Sequence, residues 1–223
     1  MKRYSLRYSL RYSLLTYRLD QLWFPLAFWA LFAIMTLIMR VRDLSIARAY
    51  LGCAIPLVGG IMAAYGVLDD PALELRFATP VRSAQMLLER LGLIFLVQAA
   101  CALGFQLLCL ALRVDLSVLG NGFAVQLAWL VPTLALMALG TAGSLLAAQT
   151  MTGAFLVGIA WIVELIARGW FAANRIGRYF LVFMGALMPD HPDLAANQAS
   201  LLALSALFFV AAWVLLHRQE RYI

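Results

Sequence analysis

Few residues of this chain have the types and spacing that enzymatic chemistry requires. Gly140, Gly143 and Ser144 superficially resemble a nucleophilic serine motif, but a serine nucleophile needs a general base within hydrogen-bond reach. The two histidines lie outside the apolar stretches: His191 is in a connection, and His217 is at the end of the last stretch. These residues do not form a catalytic set, so the sequence predicts that the chain is not an enzyme.

The sequence also lacks the usual residues for binding metals and nucleotides. Asp69 and Asp70 are adjacent, so on a regular helix their side chains diverge and cannot share a metal ion. The only lysine in the chain is Lys2, whereas a P-loop needs a lysine within G-x-x-x-x-G-K-[ST] to reach the phosphates. The sequence therefore predicts neither a metal site nor an ATP-binding site in this chain.

Glu164 is the one acidic residue deep in an apolar stretch. Ionisable residues inside a membrane span are rare and often functional, which makes Glu164 a candidate for a substrate or proton site. Arg168 follows four residues later, and this order favours an ion pair on a helix. We therefore expect a structural pair between Glu164 and Arg168 near the outer end of a span, with the substrate or proton role as the alternative.

The composition indicates that the apolar surface of this chain faces lipid. Of its 223 residues, 65% are hydrophobic and 13% are charged, which is about half the charged fraction of an ordinary soluble domain. A chain this short cannot hide so many apolar side chains in a globular core. The net charge of +6 is then explained by loops and termini that contact anionic lipid headgroups, and no nucleic-acid partner is expected.

Six apolar stretches approach the length of about 20 residues that a helix needs to cross a bilayer. The sequence therefore predicts an all-α polytopic membrane protein that forms a single domain over residues 1–223. Residues 22–216 would form the six-span bundle, preceded by a basic interfacial segment (residues 1–21) and followed by a cytoplasmic tail (residues 217–223). The predicted spans cover residues 22–39, 49–68, 91–112, 122–148, 151–167 and 200–216.

The basic segment before the first span repeats Arg-Tyr-Ser-Leu three times, beginning at Arg3, Arg7 and Arg11. Together with Arg18, these residues suit a helix at the membrane surface whose arginine side chains reach the headgroups. A duplication without functional consequence is the alternative. An even number of spans puts both termini on the same side of the membrane. That side would carry ten basic residues and the opposite side seven, which favours a cytoplasmic location for both termini.

Two connections between the predicted spans have apolar residues of their own. Between spans two and three, Asp70 suits the N-cap of a helix and Pro80 disfavours its continuation. Leu73 and Phe77 form an apolar face on this helix of about eight residues, which is too short to be stable alone in water and needs a partner. Residues 168–199 mix aromatic and arginine side chains, which predicts interfacial or re-entrant helices on the outer face.

This arrangement of spans and connections resembles the permease subunit of ABC-2-type transporters. The residues that carry the resemblance most specifically are 71–75 and 78–80, followed by the Leu-Glu-Arg-Leu run at 88–91. In that family, a glutamate-containing stretch that ends in a proline-marked turn forms the coupling helix, which contacts the ATPase subunit. This chain has Asp-Asp-Pro at 69–71, where many members carry a glycine-containing turn.

The resemblance implies the transmembrane subunit of an ATP-driven exporter in a bacterial cytoplasmic membrane. A second permease subunit, identical or different, would share the translocation pathway, and separate ATPase subunits would bind ATP and Mg²⁺, so no cofactor is expected in this chain. The cargo would be amphipathic, such as a lipid, glycan, drug or peptide. A channel or secondary transporter, or a non-transporting membrane assembly subunit, is the alternative. The residues implied to contact the ATPase are Asp70, Leu73, Glu74, Arg76, Phe77 and Pro80.

Overall fold

The protein is all-helical in the parts of the chain that the structure describes. The computed structural model describes residues 22–38, 44–69 and 83–217, and no strand is found among them. The predicted all-α class is therefore confirmed. The α-helices are α1 (Trp23–Ile38), α2 (Leu44–Ala49), α3 (Ile55–Tyr65), α4 (Ser83–Ala111), α5 (Gly122–Ala147), α6 (Thr150–Ala173), α7 (Met184–Leu187) and α8 (Leu194–Leu216).

Among the residues that the structure describes, five helices are long and apolar enough to cross a membrane. They are Ser45–Tyr65, which combines α2, a π-helical turn and α3, followed by Leu87–Ala111 within α4, and then α5, α6 and α8. Helix α1 is apolar but has 16 residues, which is shorter than a typical span. Five of the six predicted spans thus correspond to membrane-length helices, and the span at α1 stays a prediction.

The last two long helices extend further than the sequence predicted. Helix α6 continues to Ala173 and does not end at residue 167, because Arg168 is exposed and its long side chain can reach the headgroups without breaking the helix. Helix α8 begins at Leu194 and not at residue 200, since Ala195 and Ala196 are strong helix formers. Hydropathy located both spans, but it ended the span at α6 too early and began the span at α8 too late.

The long helices divide into a buried centre and a lipid-facing periphery. The buried share of the most apolar stretch is 72% in α2–α3 and 56% in α5, whereas it is 11% in α6. The outer face of α6 carries Phe155, Ile159, Ile162 and Ile166 at helical spacing, all of them exposed. Because this stripe is entirely apolar, its natural surroundings are lipid acyl chains.

Helices α3, α5 and α6 cross at unusually close range. Gly60 of α3 lies against the backbone of α5 at Gly140, and a Cβ atom at Gly153 of α6 would be 2.5 Å from the Gly140 carbonyl oxygen. Thr141 of α5 also donates a hydrogen bond to the carbonyl of Ala63 (3.4 Å). Small residues allow this approach in lipid, where packing takes over the role of the hydrophobic effect.

These contacts fix the directions of the helices. Gly59 and Gly60 of α3 face Thr133 and Leu136 of α5 in increasing order, so α3 and α5 are parallel, whereas α6 returns in the opposite direction. We call the end of the bundle at which α3 and α5 finish and α6 begins the proximal end. The opposite end, where α5 begins, α6 finishes and α8 begins, is the distal end.

A π-helical turn, Tyr50–Ala54, interrupts the helix between α2 and α3. Such turns leave backbone groups displaced from the regular pattern and are frequent at functional sites. Here the carbonyl oxygen of Cys53 accepts a hydrogen bond from the indole nitrogen of Trp161 on α6 (2.9 Å). The π-turn is therefore linked directly to the helix that carries Glu164.

The connection from α6 to α8 is packed into the bundle over part of its length. It consists of a 3₁₀ turn, Gly177–Phe180, and the single turn α7. Ile176 and Phe180 are exposed, but residues 181–186 are all buried. The interfacial and the re-entrant alternatives for residues 168–199 both stay predictions.

Several predicted site residues lie outside the described residues. The four arginines of the basic segment are Arg3, Arg7, Arg11 and Arg18. The six residues expected to contact an ATPase are Asp70, Leu73, Glu74, Arg76, Phe77 and Pro80.

Candidate functional site

Glu164 lies close to the middle of α6. It is the fifteenth of the 24 residues of this helix, which puts it about 4 Å along the axis from the helix midpoint at 1.5 Å per residue. The sequence placed Glu164 near the outer end of its span because the helix was expected to finish at residue 167. The longer helix makes Glu164 a deeply placed intramembrane acid, and such residues are candidates for function.

The partner of Glu164 is a backbone amide and not an arginine. Its Oε2 atom accepts a hydrogen bond from the N–H of Val182 at 2.6 Å. Over the described residues, no ion pair joins Glu164 to Arg168, whose side chain is exposed. The expected pair is thus replaced, because Glu164 contacts residue 182 within the bundle while Arg168 lies at the surface.

Asn197 of α8 forms hydrogen bonds with the same stretch of backbone. Its side chain is 1% exposed, and its Nδ2 atom donates to the carbonyl of Leu181 (3.0 Å) and to that of Arg178 (2.8 Å). The carbonyl of Leu181 and the N–H of Val182 belong to one peptide group. That peptide is therefore bound through its N–H by Glu164 of α6 and through its carbonyl by Asn197 of α8; we call this arrangement the clamp.

The clamped segment lies below the distal end of the bundle. Residues 181–186, which we call the buried segment, pack Ala186 against Gly52 of the π-turn and Gly185 against Ala128 of α5. Gly52 is eight residues into its span and Ala128 is seven residues into α5, so the contacts lie about 9–10 Å from the helix ends. Gly185 and Ala186 belong to the helical turn α7. The non-helical peptide between residues 181 and 182, which precedes this turn, has both of its polar groups bound by the clamp.

Polar contacts near the end of α6 and the start of α8 flank the buried segment. Asn174 accepts hydrogen bonds from the N–H groups of Ile176 and Gly177 through its side chain. Arg178 forms a salt bridge with Asp193 at 2.7 Å. These contacts lie near the ends of α6 and α8, whereas the side chains of the buried segment are apolar throughout.

The apolar side chains of the buried segment fill the distal centre of the bundle. Leu181, Phe183 and Met184 are each 0% exposed. The ring of Phe183 meets the ring of Trp161 edge-to-face, with a centroid distance of 6.1 Å. Trp161 therefore contacts both the π-turn, through its N–H, and the buried segment, through its ring.

Other polar residues within the spans satisfy one another. Gln126 donates to Gln106 at 2.7 Å and accepts from the indole nitrogen of Trp129 at 2.8 Å, which joins α4 to α5. Gln98, which is buried, donates to the sulfur of Met62 at 3.1 Å. These contacts are best explained as bundle packing, since each polar group is directed at a neighbouring helix.

An open pocket of about 450 Å³ lies at the proximal end and is lined by Tyr65, Met151, Thr152 and Phe155. The hydroxyl of Thr152 already donates to Gln149, and no charged side chain lines the pocket. Its surface is mostly apolar, so it offers little to orient a ligand. The clamp is the better candidate for a functional site.

The arrangement around Glu164 is suited to holding a polypeptide segment. Over residues 22–38, 44–69 and 83–217, no group of three or more His, Cys, Asp or Glu side chains is placed to hold a metal ion. Glu164 has a hydrogen-bond donor beside it, and no nucleophile accompanies it among its described contacts. The carboxyl group of Glu164 and the amide of Asn197 instead bind the peptide group between residues 181 and 182.

Sequence reasoning identified Glu164 but missed its two partners in the clamp. Asn197 was placed in the connection before the last span, because the start of α8 was put at residue 200. The sequence feature that could have indicated Asn197 is an amide side chain at the edge of a long apolar run, where a buried polar group needs a partner. The backbone of residues 181 and 182 carries no sequence signal for its hydrogen bonds.

Comparison with protein-family models, with curated proteins and with solved structures finds no match for this chain. Its function is therefore argued from its own residues and their geometry.

Proposed function

We propose that this chain is the transmembrane subunit of an ATP-driven exporter of the ABC-2 type, located in the cytoplasmic membrane. A second permease subunit completes the translocation pathway, and separate ATPase subunits bind ATP and Mg²⁺. The cargo is amphipathic. Helix α1 is the first of six spans in this proposal, and the buried segment is a re-entrant element between spans five and six.

The observation that carries the proposal is the apolar helical bundle with one inserted connection before its last long helix. Five membrane-length helices account for most of the described chain, and the connection from α6 to α8 reaches about 10 Å into the bundle beside Gly52. This matches the outer connection that the family resemblance implies. The small extramembrane part leaves energy conversion to a partner.

The proposed link to the ATPase is the segment between α3 and α4. Leu73 and Phe77 would be buried in a groove of the ATPase, with Glu74 and Arg76 making polar contacts at the rim. Buried apolar anchors dominate most interfaces, so replacing both Leu73 and Phe77 by alanine should release the ATPase. Reversing the charge of Glu74 should keep the complex but weaken the coupling between ATP hydrolysis and transport.

The test is co-purification of an ATPase with the tagged chain from mild detergent, followed by hydrolysis assays in nanodiscs. The matched control is the double variant Ile162→Ala and Ile166→Ala, which makes a similar truncation on the exposed face of α6 and should retain the ATPase. If the Leu73/Phe77 variant keeps its full complement of ATPase and normal turnover, the proposed coupling helix is wrong.

A second candidate function is proton-coupled secondary transport, and the position of Glu164 favours it. An acid near the middle of a span, bonded to a backbone amide instead of a cation, could carry a proton through the bundle. The two candidates differ in their energy source. When an amphipathic fluorescent dye is added outside everted vesicles, its uptake by the exporter requires ATP. The secondary transporter takes up the dye from an imposed pH gradient without ATP and fails in Glu164→Gln.

A further inference from the structure

We propose that Arg48 of α2 and Arg168 of α6 form a binding site for the phosphate group of an anionic phospholipid at the distal end of the bundle. Neither arginine belongs to the clamp or to the segment proposed to contact an ATPase. The site does not depend on the proposed transport function, because its ligand is a component of the membrane itself. Lipid binding and ATPase binding are separate measurements, and either can fail alone.

The hydrogen bond from Trp161 to the carbonyl of Cys53 sets the register of α6 against the helix formed by α2, the π-turn and α3. The two helices run in opposite directions, so residues after Trp161 and residues before Cys53 both lie toward the distal end. Arg168 is seven residues after Trp161, and Arg48 is five residues before Cys53. At 1.5 Å per residue, they lie about 10 Å and about 7 Å from this hydrogen bond. The two arginines are therefore at nearly the same depth.

Both arginines also lie on faces directed at the same region of the distal end. Seven residues turn a helix through about 700°, which is about 20° short of two full turns, so Arg168 is on the same face of α6 as Trp161. Arg168 is also close enough to Cys53 for an electrostatic interaction. Arg48 precedes Gly52 by one turn, and Gly52 lies against α7 and next to Cys53 in the chain. Arg48 and Arg168 therefore border one region from two neighbouring helices.

Neither guanidinium group has a counter-charge among the described residues. Arg48 and Arg168 form no ion pair there, and the Nε atom of Arg48 is buried without a hydrogen-bond partner. Two like charges at one depth repel each other, and a buried donor without an acceptor costs free energy. An anion bound between the two side chains would remove both costs.

The carboxylates of α6 and of its connection to α8 do not supply that anion. Glu164 accepts a hydrogen bond from a backbone amide, and Asp193 pairs with Arg178. Asp190 is exposed and forms no ion pair with a described residue. The anion that suits this pair of arginines therefore comes from outside these elements.

A phospholipid phosphate fits both the chemistry and the depth of the site. Arg168 is five residues before the end of α6, and Arg48 is three residues after the start of its span, so both lie within about 8 Å of the helix ends. Long arginine side chains at that level reach the headgroups, and a guanidinium group can form two parallel hydrogen bonds with phosphate oxygens. Arg168 is exposed, which leaves the site accessible from the membrane surface.

The test is the binding of dihexanoyl-phosphatidylglycerol to the full chain in a neutral detergent. A ligand that binds the folded state raises the midpoint of thermal unfolding, and the dependence on lipid concentration gives the affinity. Arg48→Gln and Arg168→Gln should each weaken binding by at least about tenfold, because each removes a charge-assisted partner of the phosphate. Dihexanoyl-phosphatidylcholine, which has no net charge, should bind the parent at least about tenfold more weakly than the anionic lipid.

Arg175→Gln is the matched control. Arg175 is also exposed at the distal end, but it is seven residues beyond Arg168, about 10 Å farther from the site. Binding of the anionic lipid should therefore stay within about threefold of the parent. An equal loss in all three glutamine variants would show a general effect of surface charge and overturn the site. Unchanged affinity in both Arg48→Gln and Arg168→Gln would overturn it as well.

Inorganic phosphate in place of the lipid identifies the source of the phosphate group. It should bind at least about tenfold more weakly than phosphatidylglycerol, because the lipid also buries its acyl chains against the apolar helices. Saturation by inorganic phosphate at the same concentrations would assign the site to a soluble anion, and the lipid assignment would fail. The wild-type protein decides the matter if the variants do not fold, since equal affinity for the anionic and the zwitterionic lipid contradicts the proposal.

Discussion

Glu164 illustrates how a carboxyl group can lie within an apolar bundle without a cationic partner. A buried ion pair requires two charges to lose their hydration, and its net contribution to stability is often small. A backbone N–H is already present and needs a partner wherever the chain is not helical. The bond from Val182 to Glu164 therefore satisfies the amide and the carboxyl group together.

The role of Arg168 follows from its exposure. Because its side chain lies at the surface of α6 and forms no ion pair with Glu164 in the described part of the chain, Arg168→Gln should change the free energy of unfolding by less than about 0.5 kcal/mol. Thermal unfolding in a mild detergent measures this. A loss of more than about 1 kcal/mol would mean that the two side chains do form a pair.

Trp161→Phe tests the bond between α6 and the π-turn. Phenylalanine keeps an aromatic ring against Phe183 but cannot donate to the carbonyl of Cys53, so stability should fall by about 1 kcal/mol. The same measurement on Trp170→Phe provides the control, since Trp170 is 61% exposed. An equal loss in both variants would show that ring size, and not the hydrogen bond, is responsible.

Among the elements, the crossing of α3, α5 and α6 depends on residues without bulky side chains. Small residues recur at close-packing spacing in the sequence, at Gly59 and Ala63 and at Gly140, Ser144 and Ala148. The first four lie at helix contacts, whereas Ala148 has a φ of 52° and ends α5. A small-residue spacing thus indicates a packing face without indicating where that face stops.

Two glycines of α6 form a matched pair for testing this crossing. At Gly153 a Cβ atom would be 2.5 Å from the Gly140 carbonyl oxygen, whereas at Gly158 nothing lies within 4 Å. Gly153→Ala should therefore destabilise the protein by about 1–3 kcal/mol through overpacking. Gly158→Ala should leave stability unchanged or raise it by up to about 1 kcal/mol, because alanine favours helix.

Thermal unfolding of the two alanine variants in the same detergent gives the comparison directly. If Gly153→Ala were as stable as Gly158→Ala, α6 would not lie as close to α5 as the structure has it.

Hydropathy could predict the long apolar helices, whether they face lipid or the centre of the bundle. Residues 122–148 were predicted as a span, and α5 ends one residue earlier, at Ala147, because this stretch is long and apolar enough to form a membrane-length helix. The π-turn and the buried segment could not be predicted in this way. Both depend on contacts between residues far apart in the chain, such as Trp161 with Cys53 and Glu164 with Val182.

For the whole molecule, the distribution of burial separates the centre from the surface. Helices α2–α3 and α5 are the most buried, and α6 and α8 the least. The clamp joins α6 and α8, the two most exposed of the long helices, through a segment that reaches the centre. A displacement of α6 or α8 would therefore act directly on the peptide group that both helices bind.

The orientation of the bundle in the membrane can be tested from its two ends. Ten basic residues assigned to the proximal side against seven on the distal side favour a cytoplasmic proximal end. Gln149, in the turn between α5 and α6, is exposed at the proximal end, and Asp190 is exposed at the distal end. Single cysteines at these positions, with Cys53, Cys101 and Cys109 replaced by alanine, report which end faces outward.

On intact cells, an impermeant thiol reagent should label Asp190→Cys and leave Gln149→Cys unmodified, because the membrane shields the cytoplasmic side. Permeabilised cells provide the control, in which both positions should react since both are exposed. Labelling of position 149 but not 190 on intact cells would reverse the orientation. The segment between α3 and α4 would then lie on the side where no cytoplasmic ATPase can reach it.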